Sequence, residues 1–243
     1  MELVAVDFSE KSDKKVSKQL MKQMTTVGFC LITNVPGHDE DKLLEAIKAF
    51  HAVSDKDKMK LALNHYNRKN KNIYHGYFPF LKNDVAHKEF YQLGRPLSDY
   101  SEWEKQDCPF YHDTPWFANA KKLGLDDVMD VYKEHWDRMH QCCMRILRCL
   151  SMGLGKSPDY FDPWFAEECS SAWRGIHYKP RPSDQKLDDP RLQKLTAPEH
   201  RDSGFITLLS TFMYPGLQVE YDGKFRDVKG AKNAIVVNLG ATL

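Results

Sequence analysis

The sequence changes character after Ser170, and this change most restricts the fold. Upstream, the longest helical pattern covers 126–152 and ends at Gly153-Leu154-Gly155. Downstream, apolar segments of strand length follow one another, and Asp222-Gly223 separates two of them with a dipeptide typical of tight β-hairpins. The sequence therefore predicts an α+β fold, in which N-terminal helices pack on part of an antiparallel barrel or jelly roll.

Shorter patterns predict the remaining elements. Ser12 precedes an amphipathic segment and is a candidate helix N-cap, and the turn at 34–37 follows an apolar run of strand length. Helices are predicted at 15–24, 39–53, 54–63 and 158–165, and strands at 29–33, 173–178, 205–212, 217–221, 225–228 and 234–239. The segment 74–96 has mixed strand character, whereas 64–72, 107–116 and 179–199 are predicted loops.

Composition excludes several classes of protein. The 35 lysines and arginines nearly balance the 34 aspartates and glutamates, so no charge excess favours a nucleic-acid or membrane partner. No apolar run approaches the roughly 18 residues of a membrane span, and the N-terminus lacks the pattern of a secretion signal. The six cysteines form no C-x-x-C pair, which predicts reduced thiols in a cytoplasmic protein.

His200 and Asp202 form the most informative chemical motif. They lie two residues apart before an apolar segment, and on a strand such residues project from the same face. An imidazole and a carboxylate so placed supply two ligands of a 2-His-1-carboxylate triad, which holds non-haem Fe(II) with open positions. None of the ten histidines follows His200, so no third ligand of this type lies downstream.

At these residues the chain resembles the isopenicillin N synthase-like family of Fe(II)- and 2-oxoglutarate-dependent oxygenases. The most specific block is His200-Arg201-Asp202-Ser203-Gly204-Phe205, and Asn238-Leu239-Gly240 follows at the family's spacing. Val35-Pro36 replaces the family's usual His-Gly, a difference outside the chemistry. The similar segments span nearly the whole chain: 4–8, 27–34, 75–77, 88–94, 200–209, 216–219 and 236–240.

The resemblance implies a double-stranded β-helix, with His200 and Asp202 as iron ligands. Tyr178 matches a tyrosine whose hydroxyl, in relatives, reaches a carboxylate of the cosubstrate or substrate. The family's distal histidine and its Arg-x-Ser pair, which grips 2-oxoglutarate, have no counterpart here. Arg226, the one arginine after Arg201, stands in a different context, and Ala241 replaces a frequent aspartate. The chain is therefore expected to be truncated at its C-terminus and to bind Fe(II) weakly.

The resemblance implies one enzymatic function, and two alternatives stay open beside it. The first is oxidation of a small organic or amino-acid-derived substrate by O2 and 2-oxoglutarate. The alternatives are a 2-oxoglutarate-independent oxidase of the isopenicillin N synthase type and a catalytically inactive binding or regulatory module. The expected division is an N-terminal dioxygenase region at 1–115, followed by a long helix and an incomplete oxygenase core at 116–243.

Other polar groups favour structural roles. His177 must face away from Tyr178 on a strand and is interpreted as packed or surface-exposed. Lys88-Glu89 is interpreted as a structural segment, although His87 precedes it. His135 and His140 lack the i, i+4 spacing of a helical metal pair, and the cysteines at 142, 143 and 149 fit a helix core. An incomplete β-helix leaves unpaired sheet edges, which predicts self-association.

Overall fold

A computed structural model describes residues 3–82, 84–99, 111–165, 170–180 and 195–242. The helices are α1 (Asp13–Met24), α2 (Glu40–Ala52), α3 (Asp55–Lys58), α4 (Val128–Gly153) and α5 (Asp162–Phe165). The strands are β1 (Ala5–Asp7), β2 (Phe29–Thr33), β3 (Gly76–Phe78), β4 (Lys88–Leu93), β5 (Trp173–Tyr178), β6 (Ile206–Ser210), β7 (Gln218–Tyr221), β8 (Lys224–Asp227) and β9 (Ile235–Leu239). Single 3-10 turns occupy Met59–Leu61, Leu97–Asp99 and Ala120–Leu123.

The chain divides into two compact units. The first contains Met1–Leu44, Lys133–Cys169 and Arg201–Leu243, and the second contains Glu45–Tyr132 and Ser170–His200. The boundary between His200 and Arg201 falls inside the predicted metal motif. The division of the chain at residue 116 stays a prediction.

The first unit is built on a four-stranded sheet with the order β1-β2-β9-β6. β9 pairs antiparallel with β2 through Phe29 and Asn238, and with β6 through Thr207 and Asn238. Apolar residues of α1 and α4 pack against one face of this sheet. Cys142 and Cys149 are buried in that core, which confirms their interpretation as packing residues.

The β7–β8 hairpin packs near the opposite face of the same sheet. Val219 belongs to a second buried cluster with Leu31 and Val236. Asp222 and Gly223 link the two strands with φ angles of 56° and 67°. Left-handed conformations at both central positions define the turn that matches strand twist, so the hairpin predicted at this dipeptide is confirmed.

The second unit holds the three-stranded antiparallel sheet β3-β4-β5. Its core is aromatic: Phe50 of α2 lies 4.7 Å from the Tyr91 ring and 5.8 Å from the Trp116 ring, centroid to centroid. Ser54 caps α3 by accepting a hydrogen bond from the backbone N–H of Asp57 at 3.2 Å. This cap fixes the start of the short helix that carries Lys58.

Most predicted elements are confirmed, and two strands match to the residue. These are Phe29–Thr33 and Trp173–Tyr178. The helix predicted at 54–63 is α3 followed by a 3-10 turn, and the strand predicted at 205–212 is shorter at both ends. Much of the loops predicted at 107–116 and 179–199 lies outside the described residues. Within the described ranges, no helix combines the length and apolar character needed to cross a membrane.

Candidate metal centre

His200 and Asp202 lie in an irregular segment, because β6 begins only at Ile206. The expectation that they project from one face of a strand is therefore wrong. Ser203 and Gly204 intervene before the strand, and both are exposed. The orientation of the two candidate ligands must come from specific hydrogen bonds instead of strand geometry.

The carboxylate of Asp202 is anchored by the sheet beside it. The Thr207 hydroxyl donates to Asp202 Oδ2 at 2.6 Å, and the Asn238 side-chain amide donates to the same oxygen at 2.9 Å. The backbone carbonyl of Asp202 accepts from Ala241 N at 2.8 Å. These bonds hold Oδ2 against the sheet and set the direction in which Oδ1 points, as partners of metal-bound carboxylates do.

Gly240 allows the segment from Asp202 to Gly204 to approach the end of β9. A Cβ atom at position 240 would lie 2.0 Å from the Gly204 carbonyl oxygen and 3.2 Å from that of Asp202. No L side chain fits at such a distance from backbone. The Asn238-Leu239-Gly240 motif thus has two separate roles. The Asn238 amide holds the Asp202 carboxylate, and Gly240 leaves room for the backbone of Gly204.

His200 is exposed at the end of the second unit, and a backbone contact orients its ring. Its Nδ1 lies 2.9 Å from the Pro198 carbonyl oxygen. A carbonyl can only accept, so Nδ1 carries the proton and the lone pair of the neutral ring is on Nε2. Metal-binding histidines commonly donate their other N–H to such a carbonyl. His200 thus fits the role of an Nε2 ligand.

Each of the two predicted donors, taken by itself, has the chemistry of an Fe(II) ligand. An imidazole nitrogen and a carboxylate oxygen are the ligand types of the facial triad, and both have the supporting hydrogen bonds that such ligands need. The sequence holds no histidine beyond His200 to supply the third ligand.

Tyr178 ends β5 and is paired with Lys88 across the sheet. Its side chain is half-exposed, and partial desolvation raises the pKa of its hydroxyl above the usual value. The hydroxyl is therefore a hydrogen-bond donor at physiological pH, as its predicted role toward a carboxylate requires.

A second group of potential ligands surrounds Glu89 in the other sheet. The side chains of His51, Glu89 and His177 each bring one ligand atom within 4.8 Å of the other two. His177 Nδ1 lies 2.9 Å and His51 Nδ1 lies 3.7 Å from Glu89 Oε1. Glu89 and His177 are cross-strand partners of β4 and β5, which explains how the fold brings them together.

Two lysines make this second group unsuited to a divalent metal. The buried Lys58 ammonium lies 2.8 Å from Glu89 Oε2, and Lys179 Nζ lies 3.3 Å from Oε1. The hydroxyl of Tyr77 also donates to Oε2. Burial alone would raise the pKa of Glu89, but the surrounding donors outweigh it and hold that pKa well below its usual range. A metal would have to displace cations that already balance this carboxylate.

The network agrees with the interpretation of Lys88-Glu89 as structural, but the sequence did not indicate its other members. His177 donates a hydrogen bond to Glu89 Oε1, so it is more than a packed or surface-exposed residue. No spacing pattern connects His51, Lys58 and Glu89, because they come from α2, α3 and β4. The sequence offered one signal: side chains alternate between the two faces of a strand, so His177 and Tyr178 of β5 were predicted to lie on opposite faces.

Other histidines contact neighbouring rings or the backbone. His140 stacks on Trp136 with ring centroids 5.2 Å apart, and His135 lies 5.7 Å from the His38 ring. His112 Nε2 accepts from the backbone N–H of Tyr74 at 3.1 Å, and therefore fastens a loop to the segment before β3.

Two family profiles match the chain. Residues 3–118 match the N-terminal region of the non-haem dioxygenases in morphine synthesis, and residues 169–243 match the 2OG-Fe(II) oxygenase superfamily. Isopenicillin N synthase of Amycolatopsis lactamdurans is 25% identical over 232 residues, 94% of this chain and 70% of the relative. Gibberellin 20 oxidase 2 of Arabidopsis thaliana is 33% identical over 127 residues, 52% of this chain and 32% of the relative.

Solved structures confirm the fold. A 2OG-Fe(II) oxygenase family protein from Caulobacter crescentus has a TM-score of 0.78 at 22% identity, covering 98% of this chain and 74% of that one. A full-length Neurospora crassa protein, solved in complex with alpha-KG and thymine, gives the same TM-score, identity and coverage. The predicted α+β fold with N-terminal helices and a partial jelly roll is therefore confirmed.

Proposed function

Because the chain belongs to the isopenicillin N synthase-like family of Fe(II)- and 2-oxoglutarate-dependent oxygenases, we propose that it acts in the oxidation of a small organic or amino-acid-derived molecule. Fe(II) and 2-oxoglutarate are the cofactors of this family. The observation that carries the proposal is the anchoring of Asp202 by Thr207 and Asn238.

In this proposal, His200 Nε2 and a carboxylate oxygen of Asp202 hold the metal. Bound Fe(II) and 2-oxoglutarate together supply the activation of O2. The chain's own task is geometric: Pro198 fixes the imidazole, and the strand pair Thr207–Asn238 fixes the carboxylate.

Tyr178 is proposed to donate its hydroxyl to a carboxylate of the bound organic molecule. It is half-exposed and its raised pKa keeps it protonated, so it can donate throughout the physiological range. Substitution of Tyr178 by Phe removes the donor and retains the ring, which makes it the variant of choice for this role.

A 2-oxoglutarate-independent oxidase is the second candidate. The observation in its favour is that isopenicillin N synthases of Amycolatopsis lactamdurans and Streptomyces jumonjinensis match 94% and 95% of the chain. Oxygen consumption measured with and without 2-oxoglutarate separates the two. The first candidate requires succinate to form in proportion to the oxygen used, whereas the second requires none.

Anaerobic titration with Fe(II) tests the metal site. His200→Ala and Asp202→Ala should each abolish specific binding, whereas His65→Ala, at an exposed histidine, should leave it unchanged. His177→Ala removes a member of the Glu89 group and should also leave it unchanged. Binding lost in His177→Ala but kept in His200→Ala would refute the proposal and move the metal to the other sheet. No specific binding by the parent chain would favour a non-catalytic binding module.

A further inference from the structure

One face of the β3-β4-β5 sheet combines stacked aromatic rings with two cations. Strand pairing places Lys88 opposite Tyr178, Phe90 opposite Ile176, and Gln92 opposite Arg174. Residues opposite each other project from the same face, so these side chains share a surface, while Glu89 and His177 project from the other. We call it the Phe90 face and define it by Phe78, Lys88, Phe90, Arg174, Ile176 and Tyr178.

Two cations converge on a single ring of this face. The Lys88 ammonium lies 5.9 Å and the Arg174 guanidinium 5.2 Å from the centroid of the Phe90 ring. Arg174 Nε donates to Gln92 Oε1 at 2.8 Å, which fixes the guanidinium in place. Within the described ranges, neither cation has a carboxylate at ion-pair distance.

The electrostatics of this pair are unfavourable without a counterion. Burial is the main cause that lowers the pKa of Lys88, the neighbouring Arg174 lowers it further, and Asp84 opposes the shift. Two like charges, of which one is partly withdrawn from water, repel each other more strongly than two in bulk solvent. An anion placed near both would remove this repulsion, and Arg and Lys are the side chains that bind carboxylates most strongly.

The apolar part of the face suits a hydrophobic or planar body. The rings of Phe78 and Phe90 stack with centroids 4.1 Å apart, and Ile176 lies beside Phe90 on the neighbouring strand. All three are partly exposed, so they offer accessible apolar surface. The Tyr178 hydroxyl lies at the Lys88 end of this surface, where it can add a neutral donor.

We propose that the Phe90 face binds the substrate, with Lys88 and Arg174 holding a carboxylate and Phe78, Phe90 and Ile176 packing against an apolar or aromatic body. This deepens the proposed function, on which it rests, by naming the substrate class as small apolar carboxylic acids. Neutral molecules of the same shape should bind more weakly, and cationic ones more weakly still. The cosubstrate 2-oxoglutarate also carries carboxylates but lacks an apolar body. A competition experiment between the two compounds therefore distinguishes a substrate site from a cosubstrate site.

Equilibrium binding to the metal-free chain tests this class directly. The probes are phenylacetate and its neutral analogue phenylacetamide, followed by calorimetry and by ligand-observed NMR. Phenylacetate should bind more tightly than phenylacetamide. Lys88→Met and Arg174→Gln should each weaken phenylacetate about 10-fold, as the loss of a charged hydrogen bond does, without changing phenylacetamide. Lys122→Met removes an exposed lysine of the same unit and should change neither.

Several outcomes overturn the inference. The first is failure of phenylacetate to bind up to its solubility limit, and the second is equal affinity for the two probes. The third is a loss of phenylacetate affinity in Lys122→Met as large as that in Lys88→Met, which would indicate nonspecific electrostatic attraction. Displacement of phenylacetate by 2-oxoglutarate, with the same dependence on Lys88, would assign the face to the cosubstrate instead. Iron is absent from these measurements, so their failure leaves the metal titration of His200 and Asp202 untouched, and the reverse also holds. Melting temperatures close to that of the parent chain confirm that each variant is folded.

Discussion

Thr207 and Asn238 face each other across β6 and β9 and donate to the same oxygen of Asp202. One antiparallel pair thus fixes a carboxylate that precedes the strand by several residues. Strand geometry does not extend to Asp202, so these two hydrogen bonds are what orients the candidate ligand. Its consequences are measurable at the metal and in the stability of the sheet.

Removal of the Thr207 hydroxyl should weaken the metal site without disturbing the strand. Thr207→Val keeps the shape of the side chain and deletes the hydroxyl that donates to Asp202 Oδ2. Loss of such a supporting bond lowers metal affinity by about 10–100-fold. Fe(II) titration measures the change, with Ser210→Ala on the same strand as the control. Unchanged affinity in Thr207→Val would mean that Asp202 does not bind the metal.

Gly240 and Gly204 should respond in opposite ways to the same added methyl group. At position 240 the new Cβ would meet the Gly204 carbonyl oxygen at 2.0 Å, whereas at position 204 nothing lies within 4 Å. Gly240→Ala should therefore lower the free energy of unfolding by about 1–3 kcal/mol and weaken metal binding. Gly204→Ala should leave both near the parent values. Urea denaturation and metal titration of the two variants provide the comparison.

Lys58 should be far more important to stability than its exposed neighbour Lys60. Lys58→Met leaves the buried Glu89 without its closest cation, which costs about 3–5 kcal/mol for buried pairs. Lys60 pairs with Asp57 at the surface, and Lys60→Met should cost less than about 1 kcal/mol. The double variant Lys58→Met/Glu89→Gln should recover part of the loss. If the two single variants denature at the same urea concentration, the Glu89 network does not stabilise the fold.

Stability should fall as the pH drops below 6.5, partly because His135 is buried without charge. Burial, with the nearby His38 and Arg138 adding to it, lowers the pKa of His135 to about 3 from its usual value of 6.5. The unfolded chain therefore binds the extra proton across this window, and the stabilising contribution is present above pH 6.5 and is lost toward pH 3. The slope from this group is at most roughly 1.4 kcal/mol per pH unit. His135→Gln should flatten the profile, and an NMR titration midpoint near 6.5 would contradict the assignment.

Local signals predicted most of the secondary structure, and contacts between distant segments account for what they missed. The Asp222-Gly223 turn and the strand at Trp173–Tyr178 follow from residues within each element. The Lys58–Glu89 ion pair does not, because it depends on how α3 meets β4. Secondary-structure propensities carry no information on contacts between two elements that are distant in sequence.

The candidate metal ligands illustrate the same limit. The motif at His200 and Asp202 was visible in the sequence, but its placement on a strand was not correct, because Ser203 and Gly204 separate it from β6. The supporting roles of Pro198 and Thr207 could not be predicted, since a hydrogen bond to a particular oxygen is fixed only by the folded backbone. The Phe90 face likewise depends on the register of β4 against β5.

The central position of β9 ties the order of folding to the chemistry. β2 can pair with β9 only after β9 has left the ribosome, because Cys30 lies opposite Val237, which is far downstream in the polypeptide. Contacts so distant in sequence form slowly, and a nascent chain that lacks them exposes an open strand. The same strand delivers Asn238 to Asp202. Iron capture should consequently follow the synthesis of β9, and chaperones that protect bare β-edges should associate with the growing chain until then.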